Sequence, residues 1–233
     1  MDLWRNTVSP EETVGESLMI ERLLACPPKS CLLDAPCGSG SHAIELAGRG
    51  HQVTAIDISQ TLIREAKAKA NILGRQLEIQ QADMRQMVYE AKFDGAYCLG
   101  SSIGYLEHDD LELFFVALAR SLKPGGRFLI QTSMAAESIL PNLKEREWHK
   151  TENAHLLIEN RYHTSNSCLE TEYTVVQNGR TETRRSWHWV FTAAEIQRLL
   201  ERSALRVIDM HSGLDGKPFK LGSPRLFLLG DKI

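Results

Sequence analysis

Three carboxylates stand where apolar runs stop, and each is followed by small or turn-forming residues. Asp34 ends Cys31-Leu32-Leu33 and leads into Ala35-Pro36-Cys37-Gly38-Ser39-Gly40. Asp57 ends Val53-Thr54-Ala55-Ile56, 23 positions after Asp34, and Asp83 precedes Met84-Arg85. A fourth run, Phe93–Leu99, opens into Gly100-Ser101-Ser102. Glycines at 38 and 40 let the backbone approach a ligand closely. An acidic residue at the end of a second strand can accept both hydroxyls of a ribose and disfavours a 2′-phosphate there. A carboxylate at 83 can accept the exocyclic amine of adenine, with a neighbouring backbone N–H donating to a ring nitrogen. The Gly38–Ala43 stretch has neither the lysine nor the spacing of a Walker loop. Ala43 can serve as the third small residue of a dinucleotide fingerprint, so the glycines alone leave that ligand open. Asp34 argues against it, because it would repel a pyrophosphate and suit a ligand carrying an ammonium group.

These residues need a scaffold that brings strand ends together. Apolar runs alternate with helical periods along the chain, which predicts an α/β fold with a mainly parallel sheet. The pattern gives a helix over about residues 11–25, strand 30–34, helix 41–48, strand 52–57 and a helix that Ser59 caps and Gly74 closes. Strands 77–81 and 93–99 follow, then a helix over 109–122 with Leu111, Phe114, Phe115, Leu118 and Leu122 on one side. Pro124-Gly125-Gly126 predicts a turn into strand 127–132. Residues 155–191 instead read as antiparallel strands, with Asn178-Gly179 as a two-residue hairpin turn. They predict a three-stranded sheet inserted before the last helix, 193–202, and two final strands near 205–210 and 226–229. The expected organisation is a core over 1–144, an inserted antiparallel sheet over 145–191 and a return to the core sheet over 192–233, which makes seven core strands.

Composition narrows the function classes. The chain has 233 residues, 42% hydrophobic and 24% charged, enough for a sizeable core. With 27 Lys and Arg against 30 Asp and Glu, the net charge of −3 gives no case for a nucleic-acid or membrane surface. No apolar run approaches the roughly 20 residues of a membrane span. The N-terminal residues lack a basic segment followed by an apolar one. Cys26, Cys31, Cys37, Cys98 and Cys168 are odd in number and have no CxxC spacing. They predict neither a disulfide framework nor a metal site, and they point to a reduced, cytoplasmic protein.

Taken in order, the motifs resemble those of the class I S-adenosylmethionine-dependent methyltransferases, small-molecule type, with a Rossmann-like sheet and a β-sheet insertion before the penultimate helix. Leu33–Gly40 corresponds to the first motif, Ala55–Ser59 to the ribose-binding strand end, Ala82–Arg85 to the adenine segment and Leu122–Phe128 to the turn before strand five. Gly213–Phe219 and Ser223–Leu226 resemble the C-terminal hairpin. Pro36 departs from the commonest pattern, standing where its first glycine would be, with Cys37 next. The resemblance implies S-adenosyl-L-methionine as cofactor. It implies Asp34 near the methionine ammonium and the Pro36-Cys37-Gly38-Ser39-Gly40 turn over the methionine part. Asp57 would hold the ribose, Ile58 would lie on the adenine, and Asp83 with Met84 would read its edge. Leu99, Gly100, Ser101 and Ser102 would lie near the reactive methyl.

The expected acceptor is an N or O atom of a small molecule. An amine needs only a free lone pair, whereas a hydroxyl usually needs a base. His149 and His108 are the candidate bases singled out, with Tyr105 as an acid or orienter, and His155, His163 and His188 complete the set. Trp148, Trp187 and Trp189 are candidate pocket walls, and Trp4 belongs to a candidate lid. Alternatives are an RNA or protein methyltransferase, a non-catalytic adenosylmethionine- or nucleotide-binding module and a nicotinamide oxidoreductase. An exposed sheet edge needs cover, which a homodimer can supply.

Overall fold

The structure is a computed structural model that describes residues 9–150, 153–213 and 216–233. Trp4, and Leu214 and Asp215 of the C-terminal motif, lie outside the described residues. The core elements are α1 (Pro10–Leu24), β1 (Cys31–Asp34), α2 (Ser41–Gly48), β2 (Gln52–Asp57), α3 (Gln60–Ile72), β3 (Glu78–Gln81), β4 (Phe93–Cys98), α4 (His108–Ser121) and β5 (Leu122–Thr132). A short α5 (Ala136–Ile139) leads to β6 (Arg146–Lys150), β7 (His155–His163), β8 (Cys168–Gln177) and β9 (Arg180–Trp189). The chain then returns through α6 (Ala193–Arg202), β10 (Leu205–His211) and β11 (Leu226–Lys232).

Seven strands form one sheet in the order β10-β11-β5-β4-β1-β2-β3. The pairs β1–β2, β2–β3, β1–β4 and β4–β5 are parallel, while β11 is antiparallel to both β5 and β10. The order reverses at β1, which pairs with β2 on one side and β4 on the other. Ligands of open parallel sheets bind at such a switch point, outside the carboxyl ends of the strands. Asp34, Asp57 and the 99–102 loop all stand at those ends. Leu33, Ile56, Phe93, Phe114, Phe115, Phe128 and Ile130 are fully buried in the core.

Local chemistry sets the helix ends. Ser9 and Glu12 form a reciprocal capping box with Pro10 at the first helical position of α1. Ser59 caps α3 as expected, and Thr192 with Glu195 makes a second capping box on α6. The buried side of α1 is Met19, Ile20 and Leu24, and Leu18 is exposed. On α3 the buried residues are Ile63, Ala66 and Ala70, and Leu73 at its C-cap is exposed. Pro124-Gly125-Gly126 bulges from the ladder instead of preceding it: Phe93 pairs with Leu122 and Gly95 with Arg127.

The inserted sheet has four strands in the order β6-β7-β8-β9, not three. The additional strand is β6, whose Arg146, Trp148, His149 and Lys150 are all exposed or nearly so. An edge strand with polar residues on both faces carries no hydrophobic alternation to reveal it. Among the described residues no helix is long and apolar enough to cross a membrane.

Candidate functional site

A cavity of about 930 Å³ opens at the carboxyl edge of β1, β2, β3 and β4. Its wall begins at the β1–α2 turn. Cys37 N–H donates to the Ile56 carbonyl at 2.8 Å, and Gly38 N–H donates to Asp57 Oδ2 at 2.9 Å. Asp57 Oδ1 accepts from Ser59 N–H at 2.8 Å. The buried Asp57 carboxylate therefore stitches the glycine turn to the start of α3. Gly40 has φ of +80°, and a Cβ there would meet Ala66 Cβ at 2.9 Å. Its role is to let α2 pack on α3.

Asp34 is buried, and its Oδ2 has no hydrogen-bond partner. The Tyr97 hydroxyl beside it is also unpartnered. Burial pushes the Asp34 carboxyl up to about 7, and the nearby Asp57 charge adds to this, against the opposite pull of His42 and the Tyr97 phenol. A buried carboxyl with one unpartnered oxygen, in a cavity wall, is suited to a cation that supplies the missing hydrogen bond and charge. The Cys37 and Cys98 thiols are pushed above their ordinary range by burial, which keeps them protonated.

The far end of the cavity is apolar on two sides and acidic on a third. Ile58 is 63% exposed despite its apolar side chain, while Met84 is nearly buried; both line the cavity. Asp83 accepts from its neighbour Arg85 through both side-chain and backbone N–H groups, which hold its carboxyl below the usual carboxylate range. At the other end, Gly100 N–H donates to Gln131 Oε1 at 2.8 Å and Ser102 Oγ donates to the Leu99 carbonyl at 2.7 Å.

Of the residues expected at the cofactor, Asp34, Pro36, Cys37, Gly38, Asp57, Ile58, Asp83, Met84, Leu99, Gly100 and Ser102 share this wall. Gly40 does not line it, being tucked against Ala66. Ser101 does not line it either: its hydroxyl is taken up by Ser133, with Oγ–Oγ 2.8 Å and the Ser133 N–H donating at 2.9 Å. Tyr105 lines the cavity and is 59% exposed. His108 stands in the first turn of α4 beside Asp109, and His149 in the edge strand β6 beside Glu147; neither lines the cavity. The pairings of three lining residues carry no sequence signal. His42 contacts Glu16 of α1 through Nε2 at 2.8 Å, and Arg85 reaches Asp110 of α4 at 2.6 Å. The partners lie 26 and 25 positions away, beyond any local pattern.

Residues 32–126, which contain this whole constellation, match the family described as a methyltransferase domain. Those residues make up a methyltransferase domain. The domain is 34% identical over 104 residues to a ubiquinone biosynthesis O-methyltransferase of Idiomarina loihiensis, covering 43% of this chain and 41% of that protein. It is 35% identical over 112 residues to an S-adenosyl-L-methionine-dependent Diels-Alderase, iccD, of Talaromyces variabilis, covering 46% and 37%. The chain thus spans less than half the length of these relatives. A dTDP-3-amino-3,4,6-trideoxy-alpha-D-glucopyranose N,N-dimethyltransferase of Streptomyces venezuelae is 22% identical over 85% of this chain and 84% of its own. In fold, the chain resembles the CcbJ methyltransferase of Streptomyces caelestis, with TM-score 0.86, 16% identity and 100% of both chains covered.

The residues present fit the family's donor, S-adenosyl-L-methionine. The unpartnered Asp34 oxygen suits a cationic group, Asp57 is fixed for vicinal hydroxyls, and Ile58 and Met84 offer apolar faces to a flat base. Among the described residues no group of three or more His, Cys, Asp or Glu is placed to hold a metal ion.

Proposed function

We propose that the chain transfers a methyl group from S-adenosyl-L-methionine to a nitrogen or oxygen atom of a small molecule. The observation that carries this reading is the convergence of Asp34, Asp57 and Asp83, from three strand ends, on one cavity with an unpartnered buried carboxyl. The donor supplies an electrophilic methyl on a cationic sulfur. Asp34 binds the donor's ammonium, Asp57 its ribose hydroxyls, and Ile58, Asp83 and Met84 its base. Pro36, Cys37 and Gly38 cover the methionine part, and Leu99, Gly100 and Ser102 surround its end. Gly40 and Ser101 act one step back, by packing and by anchoring the loop.

Tyr105 is the acceptor-side residue we favour. Its ring packs on His188 of β9 with centroids 4.5 Å apart. No protein group among the described residues bonds its hydroxyl, which leaves that group free to orient a nucleophile. Burial holds the His188 imidazole below its ordinary pKa and hence neutral, a form able to accept a proton. His108 and His149 are more than half exposed in their side chains, and their distance from the cavity wall favours Tyr105 over either.

The small-molecule assignment draws support from the relatives' activities, and the net charge of −3 argues against RNA as acceptor. We place the protein in the cytoplasm, where its five free thiols are stable. We also propose that it forms a homodimer through the inserted sheet, and that 1–144, 145–191 and 192–233 act as cofactor core, cover and closing strands.

Titration calorimetry with S-adenosylhomocysteine should show binding, and labelled donor should pass its methyl to members of an amine and phenol panel. Absence of any binding heat sinks the whole reading. The likeness to a Diels-Alderase favours a second one, in which the donor is bound but not spent. Binding without transfer across the panel would select it.

A further inference from the structure

The Arg85 guanidinium is shared between carboxylates on two different elements. Its Nε lies 3.0 Å from Asp83 Oδ1 and 3.1 Å from Oδ2, and Nη2 lies 2.5 Å from Oδ2. The Arg85 backbone N–H donates to Oδ1 at 2.9 Å. Nη1 reaches across to Asp110 Oδ2, in the first turn of α4, at 2.6 Å. All three residues line the cavity, at the end that holds Ile58 and Met84. A guanidinium is a planar, rigid fork, so two-point contact fixes the plane of the carboxylate as well as its place. Asp110, in the first turn of α4, gives the fork a second anchor.

An ion pair on an open surface contributes little beyond a weak attraction. This one is different in its surroundings: the Asp83 side chain is only 17% exposed, and the residue lines the ligand cavity. We propose that Arg85 is a positioning residue for base selection, which holds the Asp83 carboxylate so that this corner takes a 6-amino purine and rejects a 6-oxo purine. The proposal rests on the reading of Asp83 as the residue that faces the donor's base. An ionised carboxylate only accepts hydrogen bonds. An exocyclic amine donates one, whereas an oxo group in the same place leaves two acceptors facing each other. Rejection requires that the carboxylate cannot swing aside. Without the Arg85 fork only the residue-85 backbone N–H still holds Oδ1, so Oδ2 can turn about that single bond and both bases then meet a yielding wall.

The test is titration calorimetry on the full chain with S-adenosylhomocysteine and S-inosylhomocysteine, which differ in the 6-substituent and in the N1 proton that accompanies the oxo form. The unaltered protein should prefer the adenosyl compound by about 10- to 100-fold. Arg85→Gln should bring the ratio to within about 3-fold, with most of the loss on the adenosyl side. Arg85→Lys keeps the charge without the fork and should fall between. Arg206→Gln, which breaks a pair with Asp231 far from the cavity, should leave the ratio unchanged. Asp83→Asn offers an amide donor and should compress or invert the preference. Equal weakening of both ligands in Arg85→Gln, with the ratio kept, overturns the proposal and leaves Arg85 a structural residue. A normal ratio in Asp83→Asn removes the base-facing role of Asp83 and the proposal with it. A changed ratio there beside an unchanged one in Arg85→Gln removes the Arg85 step alone. If circular dichroism shows Arg85→Gln unfolded, Arg85→Lys and Asp110→Asn decide: an unmoved ratio in both overturns the proposal.

Discussion

Glu16 of α1 and His42 of α2 meet at 2.8 Å, with about four-fifths of each side chain out of solvent. His42 lines the cavity, so this contact ties the N-terminal helix to the donor site. Arg225 adds a second positive charge 3.8 Å from Glu16. The contact should show itself in the pH dependence of stability. Burial disfavours the imidazolium, but the Glu16 hydrogen bond and the Asp34 and Glu16 charges outweigh it and raise the His42 pKa above 6.5. The same bond lowers the Glu16 pKa below 4.5, against burial. A raised histidine stabilises the fold below its unfolded value and loses that contribution as pH climbs through the folded one. A depressed glutamate does so above its unfolded value and loses it as pH falls. The pair therefore contributes fully only between pH 4.5 and 6.5.

Glu16→Gln should cost about 1–2 kcal/mol at pH 5.5 and less at pH 9. For a chain of this size that is a fall in Tm of roughly 2–8 °C at the lower pH. Thermal melts of both proteins at the two pH values check it. An equal gap at both would mean that the histidine charge plays no part.

Asp34 predicts a pH-dependent donor affinity. Its carboxyl, raised to about 7 by burial, is part-protonated at neutral pH in the free protein. A cationic ligand prefers the carboxylate, so binding must expel a proton below pH 7. Affinity for S-adenosylhomocysteine should rise up to about tenfold per pH unit towards 7 and then level off. Asp34→Asn should bind more weakly and lose that slope. Calorimetry in buffers of different ionisation enthalpy measures the proton directly. The sign for folding is opposite to that for binding: a raised carboxyl stabilises the free protein most at acid pH, and the contribution disappears as pH rises through about 7.

The two acidic residues illustrate what a linear sequence can disclose. Asp34 and Asp57 end apolar strands, and a strand end is visible from periodicity alone, so their convergence follows from the α/β pattern. Asp83 follows the end of a more polar strand by two residues, and the structure places it on the same wall. The Glu16–His42 and Arg85–Asp110 contacts have no such trace, since each joins elements that only the folded sheet brings together. Ser101 shows the converse: it sits in the right loop, but its hydroxyl is drawn to Ser133, 32 positions on. β6 was hidden because Arg146, Glu147, His149 and Lys150 surround its single tryptophan with polar groups. Its existence depends on pairing with β7, a tertiary fact.

Gly38 and Gly40 should respond differently to the same added methyl group. Both have positive φ, +55° and +80°, so alanine is strained at each, by about 1 kcal/mol. At 40 the new Cβ also meets Ala66 Cβ at 2.9 Å, in the contact between α2 and α3. At 38 it meets nothing within 4 Å and stands in the cavity wall. Gly40→Ala should therefore lose about 2–4 kcal/mol of stability. Gly38→Ala should lose only the strain, but should bind S-adenosylhomocysteine markedly more weakly. Chemical denaturation and calorimetry on both variants separate the effects. A well-folded Gly40→Ala protein would contradict the packing role.

The inserted sheet makes a prediction about association. Trp148, Leu157 and Trp187 are 68%, 42% and 47% exposed. Trp148 pairs directly with Leu157, and the register through β8 to β9 puts Trp187 on the same face. The edges of the sheet are β6 and β9, and the charged side chains on both discourage strand addition. A second copy should accordingly pack face to face on the tryptophans and not extend the sheet edge to edge. Sedimentation at micromolar concentration should then give a species of twice 26.2 kDa. Leu157→Lys would set like charges against each other at the centre of that face and should return the single-chain mass without loss of donor binding. A single-chain mass for the unaltered protein at every concentration would rule the dimer out, and the exposed tryptophans would then have to serve another partner.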